Sequence, residues 1–171
     1  VSGMTLTEPR LQSYDGIAHF KTSVVLVASS KDTETKTPAA LSGKILAIEG
    51  GTDYERRATE LNAALTAQGK APAEVQTYPG AARVFEQILV GRAAATITQD
   101  TTAAFREVQL PGQLAIPYTF PDAESYAIYI RKNPHDLQAL KAGYEAVSAS
   151  GELATIAEKW KMPVSGLDLK N

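Results

Sequence analysis

The chain has 171 residues, of which 44% are hydrophobic and 21% are charged, and its formal net charge is −2. This near-neutral balance gives no electrostatic attraction to nucleic acid or to an anionic membrane surface. The sequence also contains no run of 18 apolar residues, the length needed to span a bilayer. The absence of cysteine excludes disulfides, iron–sulfur clusters and thiol nucleophiles. The two histidines, His19 and His135, lack the spacing of metal ligands.

The first half of the chain is predicted to alternate between strands and helices. Residues 1–10 are typical of a strand end followed by a turn, and residues 21–29 form a continuous β-branched run that indicates a strand buried on both faces. A further strand at 44–49 leads into a helix at 53–68, which Gly69 ends. The apolar face of this helix, at helical spacing, comprises Tyr54, Ala58, Leu61 and Leu65.

The second half continues the same alternation. Asn133 and Pro134 form a good helix start, since asparagine caps a helix and proline is favoured in its first turn. Further strands are predicted at 74–78, 93–98, 113–117 and 125–131, with helices at 80–91, 101–108, 134–150 and 152–160. The apolar residues expected to face inward on the last two helices are Leu137, Leu140, Tyr144, Val147, Leu153, Ile156 and Trp160. Strands that alternate with helices from 44 to 131 predict an α/β fold with a mostly parallel sheet.

Two segments carry groups suited to holding a small anion. Arg10 follows several hydroxyl residues, and its guanidinium presents a planar fork of donors that matches a carboxylate. Residues 50–53 (GGTD) connect a strand to a helix, where backbone N–H groups and the helix dipole favour negative charge. The alternatives are a solvated surface arginine and a turn that needs glycine only for its geometry. Together the two segments point to capture of a carboxylate.

Five segments occur in a characteristic order: Gly3 to Arg10 (GMTLTEPR), Leu41 to Thr52 (LSGKILAIEGGT), Ile88 to Ala95 (ILVGRAAA), Tyr126 to Pro134 (YAIYIRKNP) and Gly151 to Trp160 (GELATIAEKW). In this order they resemble the bacterial extracellular solute-binding proteins of family 3. These are periplasmic receptors for polar amino acids that feed ABC importers. The resemblance covers nearly the whole chain.

The resemblance implies a type II periplasmic-binding-protein-like fold, with two lobes joined by hinge strands. Residues 1–25 would be the remnant of lobe one with the first hinge strand, and 26–120 would be a complete α/β lobe two. Residues 121–171 would supply the second hinge strand and the C-terminal helices of lobe one. The family begins with about half a lobe more than this chain, so lobe one is expected to be incomplete.

The resemblance also implies a set of ligand-binding residues. Arg10 matches the arginine that pairs with the ligand carboxylate, Thr5 a donor to the same group, and Gly3 a point of close backbone approach. Gly51 and Thr52 would offer backbone N–H groups. Asp53 would lie beside them, either reading the ligand or serving as a helix-start acid.

The family's aspartate that would bind a ligand ammonium group has a less clear counterpart in this sequence. Counting from Gly91 and Arg92 places the family's aspartate at Gln99, and Asp100 follows it. A shift of one residue turns a side chain to the opposite face of a strand, so the two are not equivalent. Either Asp100 serves or the anchor for the amino group is lost.

The function implied is binding of a small polar carboxylate, above all an amino acid, in an interlobe cleft for delivery to an ABC permease. The chain is expected to be periplasmic or extracellular, with no cofactor, no metal and no catalytic residue. A lyase resembling cyclohexadienyl dehydratase is one alternative, with Glu49, Asp53 and Asp100 as the nearby acids; a sensing module of a larger receptor is another. An incomplete lobe predicts weak binding by the monomer and permits a homo-oligomer or domain swap.

Overall fold

The computed structural model describes residues 1–160, 162 and 164–169. The chain forms two compact units: Val1–Thr22 with Ala123–Asn171 as unit 1, and Ser23–Asp122 as unit 2. The strands are β1 (Met4–Thr5), β2 (Tyr14–Ser29), β3 (Ile45–Glu49), β4 (Glu74–Tyr78), β5 (Ala95–Gln99) and β6 (Leu114–Arg131). The helices are α1 (Glu8–Ser13), α2 (Tyr54–Ala67), α3 (Ala81–Leu89), α4 (Asp100–Gln109), α5 (Pro134–Ala149) and α6 (Glu152–Lys159), with 3₁₀ turns at Pro38–Leu41 and Val164–Leu167.

Unit 2 is built on strands in the order β2-β5-β3-β4. Strand β3 runs parallel to both β4 and β5, whereas β5 runs antiparallel to β2. The predicted α/β fold class is confirmed, with its parallel part formed by β4, β3 and β5.

The two faces of this sheet carry separate hydrophobic clusters. Along β2, Val24, Leu26 and Ala28 belong to the cluster with α2, while Val25 and Val27 belong to the cluster with α3. Successive side chains of a strand point to opposite faces, so a strand between two clusters must be apolar at every position. This is the physical reason for the unbroken run predicted at 21–29.

Helix α2 confirms the spacing argument made from the sequence. All four residues of the predicted apolar face are buried, and they pack in the first cluster. Residues three and four apart share one side of a helix, so the spacing alone determines which side faces the sheet.

Unit 1 contains β1, the first part of β2 and the last part of β6, in the strand order β1-β6-β2. Here the prediction of inward-facing helix residues is confirmed in part: Leu137, Leu140, Tyr144 and Leu153 are half-buried, whereas Val147, Ile156 and Trp160 are exposed. Helix α5 has no buried residue, and only Ala157 is buried in α6. Ile156 is 51% exposed and Trp160 is 64% exposed. Both clusters described above consist of residues of unit 2, so the apolar faces of α5 and α6 lie outside them and are only partly covered by the described residues.

Three element boundaries also differ from prediction. The expected strands at 113–117 and 125–131 are one strand, β6, although it contains Pro117 and Pro121. Proline is tolerated where a strand lies at an edge, and β1 pairs with β6 only at Tyr126 and Ala127. Strand β2 begins earlier than predicted, and the expected turn near Pro9 is the short helix α1.

Candidate functional site

In unit 1, Arg10 and Thr5 are brought together by the turn between β1 and α1. Thr7 precedes the helix in an extended conformation, and Pro9 lies in its first turn, where its fixed φ and missing N–H suit a helix start. The helix places Arg10 so that its Nη1 donates to the carbonyl oxygen of Thr5 at 2.7 Å. Arg10 is half-buried and forms no other hydrogen bond or ion pair with the described residues. Its remaining donors are therefore available to an anion.

The hydroxyl of Thr5 is engaged by a carboxylate of β6. Thr5 is buried, and its Oγ1 donates to Oε2 of Glu124 at 3.4 Å. Gly3 adopts a φ of 75°, a conformation that other residues rarely reach, and nothing lies within 4 Å of the place where a Cβ would stand. Of the predicted trio, Thr5 and Arg10 are in contact, with a carboxylate, Glu124, as a neighbour of Thr5, and the ligand role of Gly3 stays a prediction.

Arg10 also lies in the wall of a cavity of about 600 Å³ within unit 1. The wall is largely apolar, and a second cation and an acid complete it. Its other lining residues are Val1, Met4, Tyr14, Tyr129, Ile130, Arg131 and Asp136. A guanidinium in an apolar wall is less screened by water than one on an open surface, so its attraction for an anion is stronger there.

In unit 2, the predicted turn at 50–53 is held by its own side chains. Gly51, at a φ of 75°, donates its N–H to Oε1 of Glu55 at 2.5 Å. The hydroxyl of Thr52 donates to the carbonyl of Glu49 at 2.6 Å. The sequence predicted free N–H groups at this turn. That of Gly51 is occupied by a carboxylate of the following helix, while the N–H of Thr52 has no partner among the described residues.

Asp53 points to its own helix. Its carboxylate accepts from Nε and Nη2 of Arg56 at 3.1 and 2.6 Å, and these hydrogen bonds raise the pKa of the Arg56 guanidinium. Arg56 also pairs with Glu60. The negative charge of Asp53 at the helix start is favoured by the helix dipole. Its pairing with Arg56, three residues later, adds a side-chain interaction within the first turn.

Gln99 is the last residue of β5, and Asp100 is the first residue of α4. Leu46 pairs with Ala95 and Ala47 with Thr96 in the parallel β3–β5 ladder, and continuing the same register puts Gln99 level with Gly50. Carboxyl ends of neighbouring parallel strands form the usual ligand-binding edge of α/β sheets.

The two candidates for the amino-group position differ in their environment. Gln99 is buried. Asp100 accepts the N–H of Ser23 on Oδ2 at 3.1 Å and the N–H of Thr101 on Oδ1 at 2.7 Å. Asp100 thus fastens the start of α4 to β2, and the ligand role of either residue stays a prediction.

Three residues make contacts with these groups that the sequence did not predict. Glu124 and Tyr129 approach Thr5 from β6, and Glu55 approaches Gly51 from α2. The signal for Glu55 was available, since an acid in the first helical turn commonly accepts nearby N–H groups. The other two depend on the pairing of β1 with β6, which local sequence does not encode. Among the described residues, no cluster of three or more His, Cys, Asp or Glu side chains could hold a metal ion, and no helix is long and apolar enough to cross a membrane.

No protein-family model matches the sequence, and no curated protein matches it. Solved structures do match. A variant of the arginine-binding protein ArgBP from T. maritima is 25% identical with a TM-score of 0.79; the match covers 92% of this chain and 66% of that one. ArtJ from Geobacillus stearothermophilus, described as an arginine-, lysine- and histidine-binding protein, is 24% identical with a TM-score of 0.79; the match covers 99% of this chain and 73% of that one.

A third structure is an ancestral amino-acid-binding protein described as a precursor of cyclohexadienyl dehydratase. It is 22% identical with a TM-score of 0.75, over 92% of this chain and 65% of that one. This chain thus spans about two thirds to three quarters of the length of the structures it matches. The similarity of fold agrees with the order of the five sequence motifs. The chain therefore has the α/β fold of the two-lobed bacterial solute-binding proteins, the family that its sequence resembles.

Proposed function

We propose that this protein binds a small polar carboxylate, above all an amino acid, and presents it to an ABC permease outside the cytoplasm. The observation that carries the proposal is Arg10. Its guanidinium is oriented by the carbonyl of Thr5, retains unused donors and lines a cavity. A carboxylate can take two parallel N–H bonds from one guanidinium, which gives both affinity and orientation.

Two further features support the proposal. The N–H of Thr52 lies at the start of α2 without a partner among the described residues, at the sheet edge where α/β proteins bind ligands. The structures matched in fold include proteins described as binding arginine, lysine and histidine. We therefore place this chain among binding proteins.

The test is an NMR titration of the ¹⁵N-labelled chain with L-arginine and L-glutamine up to millimolar concentration. Agmatine, which is arginine without the carboxylate, is the control ligand. We expect both amino acids to shift the amides of residues 5–10, and agmatine to leave them in place. Replacing Arg10→Gln should weaken binding about tenfold or more, because hydrogen bonds to charged groups are among the stronger ones.

The matched control variant is Arg83→Gln. Arg83 is an exposed arginine of α3 that pairs with Glu86, so its removal should leave the titration unchanged. Equal shifts with agmatine, or an Arg10→Gln variant that binds as well as the parent chain, would contradict the proposal.

The lyase alternative is supported by one match in fold, the ancestral precursor of cyclohexadienyl dehydratase. Of its candidate acids, Asp53 is paired with Arg56 and Asp100 holds two backbone N–H groups. Because both carboxylates are already engaged by donors of the chain itself, they are poorly placed to act on a substrate. Release of product from prephenate or arogenate would favour this alternative over simple binding.

A further inference from the structure

A single tyrosine hydroxyl lies at the centre of the network that holds the candidate site in unit 1. The Oη of Tyr129 donates to the carbonyl of Thr5 at 3.0 Å and accepts the N–H of Thr7 at 3.1 Å. The same Thr5 carbonyl accepts Nη1 of Arg10 at 2.7 Å. One hydroxyl thereby ties both ends of a three-residue turn, and the turn leads directly into the helix that carries Arg10.

The ring of Tyr129 is fixed as firmly as its hydroxyl. The residue is 6% exposed, and its ring lies against Gly16 of β2, so closely that a Cβ at this glycine would stand 2.9 Å from two ring carbons. The ring of Tyr14 meets it edge-on at 6.4 Å between centroids. Because the ring cannot slide, the position of Oη is set by packing rather than by the turn that it contacts.

The start of α1 depends on this contact. Thr7 is the residue before the helix, and its side chain makes no capping hydrogen bond. The N–H of Thr7 itself donates to Oη of Tyr129, and this hydrogen bond holds the residue to β6. Without the hydroxyl, this N–H loses its partner and the Thr5 carbonyl loses one of its donors. The turn would still be held to β6 by the Leu6 N–H, which donates to the carbonyl of Ser125 at 2.8 Å, but its end at Thr7 and the start of the helix would be less restrained.

We infer that Tyr129 is a positioning residue for Arg10, acting through the backbone of Thr5 and Thr7. The inference rests on the proposed carboxylate-binding role of Arg10. Tyr129 holds the guanidinium in the cavity wall before ligand arrives, so less ordering remains to be done on binding. Selection for a carboxylate would thus depend on a residue of β6 as well as on α1.

The decisive variant is Tyr129→Phe, which keeps the ring on Gly16 and removes only the hydroxyl. Three quantities are measured: hydrogen exchange of the Thr7 amide, the ¹H–¹⁵N heteronuclear NOE of the Arg10 Nε–H, and the Kd for L-arginine from the NMR titration. We expect exchange at Thr7 about tenfold faster, a lower NOE at Arg10 and a Kd raised about threefold to tenfold, as expected for one lost hydrogen bond.

Tyr144→Phe is the matched control. It deletes a tyrosine hydroxyl of the same unit, one that donates to the carbonyl of His19 at 2.8 Å. All three quantities should stay at the parent values. An unchanged Thr7 exchange rate and Arg10 NOE in Tyr129→Phe would overturn the inference. So would a changed NOE with an unaltered Kd, because Tyr129 would then hold the turn without serving the ligand.

Failure of the proposed function gives a different pattern. If the parent chain and Arg10→Gln respond alike to L-arginine, the carboxylate role of Arg10 is refuted, and positioning for a ligand falls with it. In that case the exchange rate and the NOE still report whether Tyr129 orders the guanidinium. The two failures are therefore distinguished by separate signals in one set of samples.

Discussion

The close approach of Tyr129 to Gly16 makes a quantitative prediction for Gly16→Ala. The new Cβ would lie 2.9 Å from Cδ1 and from Cε1 of the Tyr129 ring, and 3.3 Å from Cδ2 of Leu11. The two ring contacts fall 0.5 Å inside the 3.4 Å at which ordinary van der Waals contact begins. Gly16 lies in β2 and has no positive φ, so alanine itself causes no backbone strain there.

The ring has little freedom to relieve this clash. Moving it away stretches the hydrogen bonds that its hydroxyl makes with Thr5 and Thr7. Overpacking of a fixed core position costs about 1–3 kcal/mol, and weakening one such hydrogen bond costs about 1 kcal/mol. We therefore expect Gly16→Ala to lower the free energy of unfolding of unit 1 by about 2 kcal/mol.

The assay is urea denaturation followed by the Tyr129 and Trp160 resonances, both of which report on unit 1. Gly143→Ala is the matched control, since this glycine lies inside α5 with nothing within 4 Å of its would-be Cβ. There the same change should stabilise by about 0.5–1 kcal/mol, because alanine is the better helix former. A Gly16→Ala variant as stable as the parent chain would refute the argument that the ring is locked.

The remaining predictions test the core, a cap and a titrating group. Leu26→Ala, at a fully buried position of β2, should lower the free energy of unfolding in urea by about 2–5 kcal/mol. Val90→Ala, at a position 65% exposed, should change it by no more than about 0.5 kcal/mol. Equal effects would contradict the placement of the core. Asn133→Ala removes the side-chain oxygen that accepts two N–H groups at the start of α5, so we expect helix fraying and a loss of about 1 kcal/mol, and unchanged amide exchange there would count against it. Burial lowers the pKa of His19 from its ordinary 6.5, so the unfolded chain binds the proton more readily, and stability should fall as the pH drops below 6.5 toward the folded pKa. His19→Gln should flatten this part of the pH–stability curve, and a curve of unchanged slope would show that another group is responsible.

Local patterns predicted the elements whose neighbours are close in sequence. The face of α2, the cap at Asn133 and the two-sided burial of β2 are as predicted. In each case the determining contacts span a few residues, or follow from the period of one element. The order of the five motifs likewise indicated the fold that the solved structures confirm.

The sequence by itself determined which residue types could bind an anion, because a guanidinium next to hydroxyls has the same donors in any fold. On that ground it indicated Arg10. Only the tertiary structure decided how Arg10 is held. Tyr129 reaches Thr5 across 124 residues of sequence, through a strand register that no local pattern encodes. The same limit explains why Val147, Ile156 and Trp160 are exposed: helical spacing marks a side as apolar, but burial also requires a surface for that side to pack against.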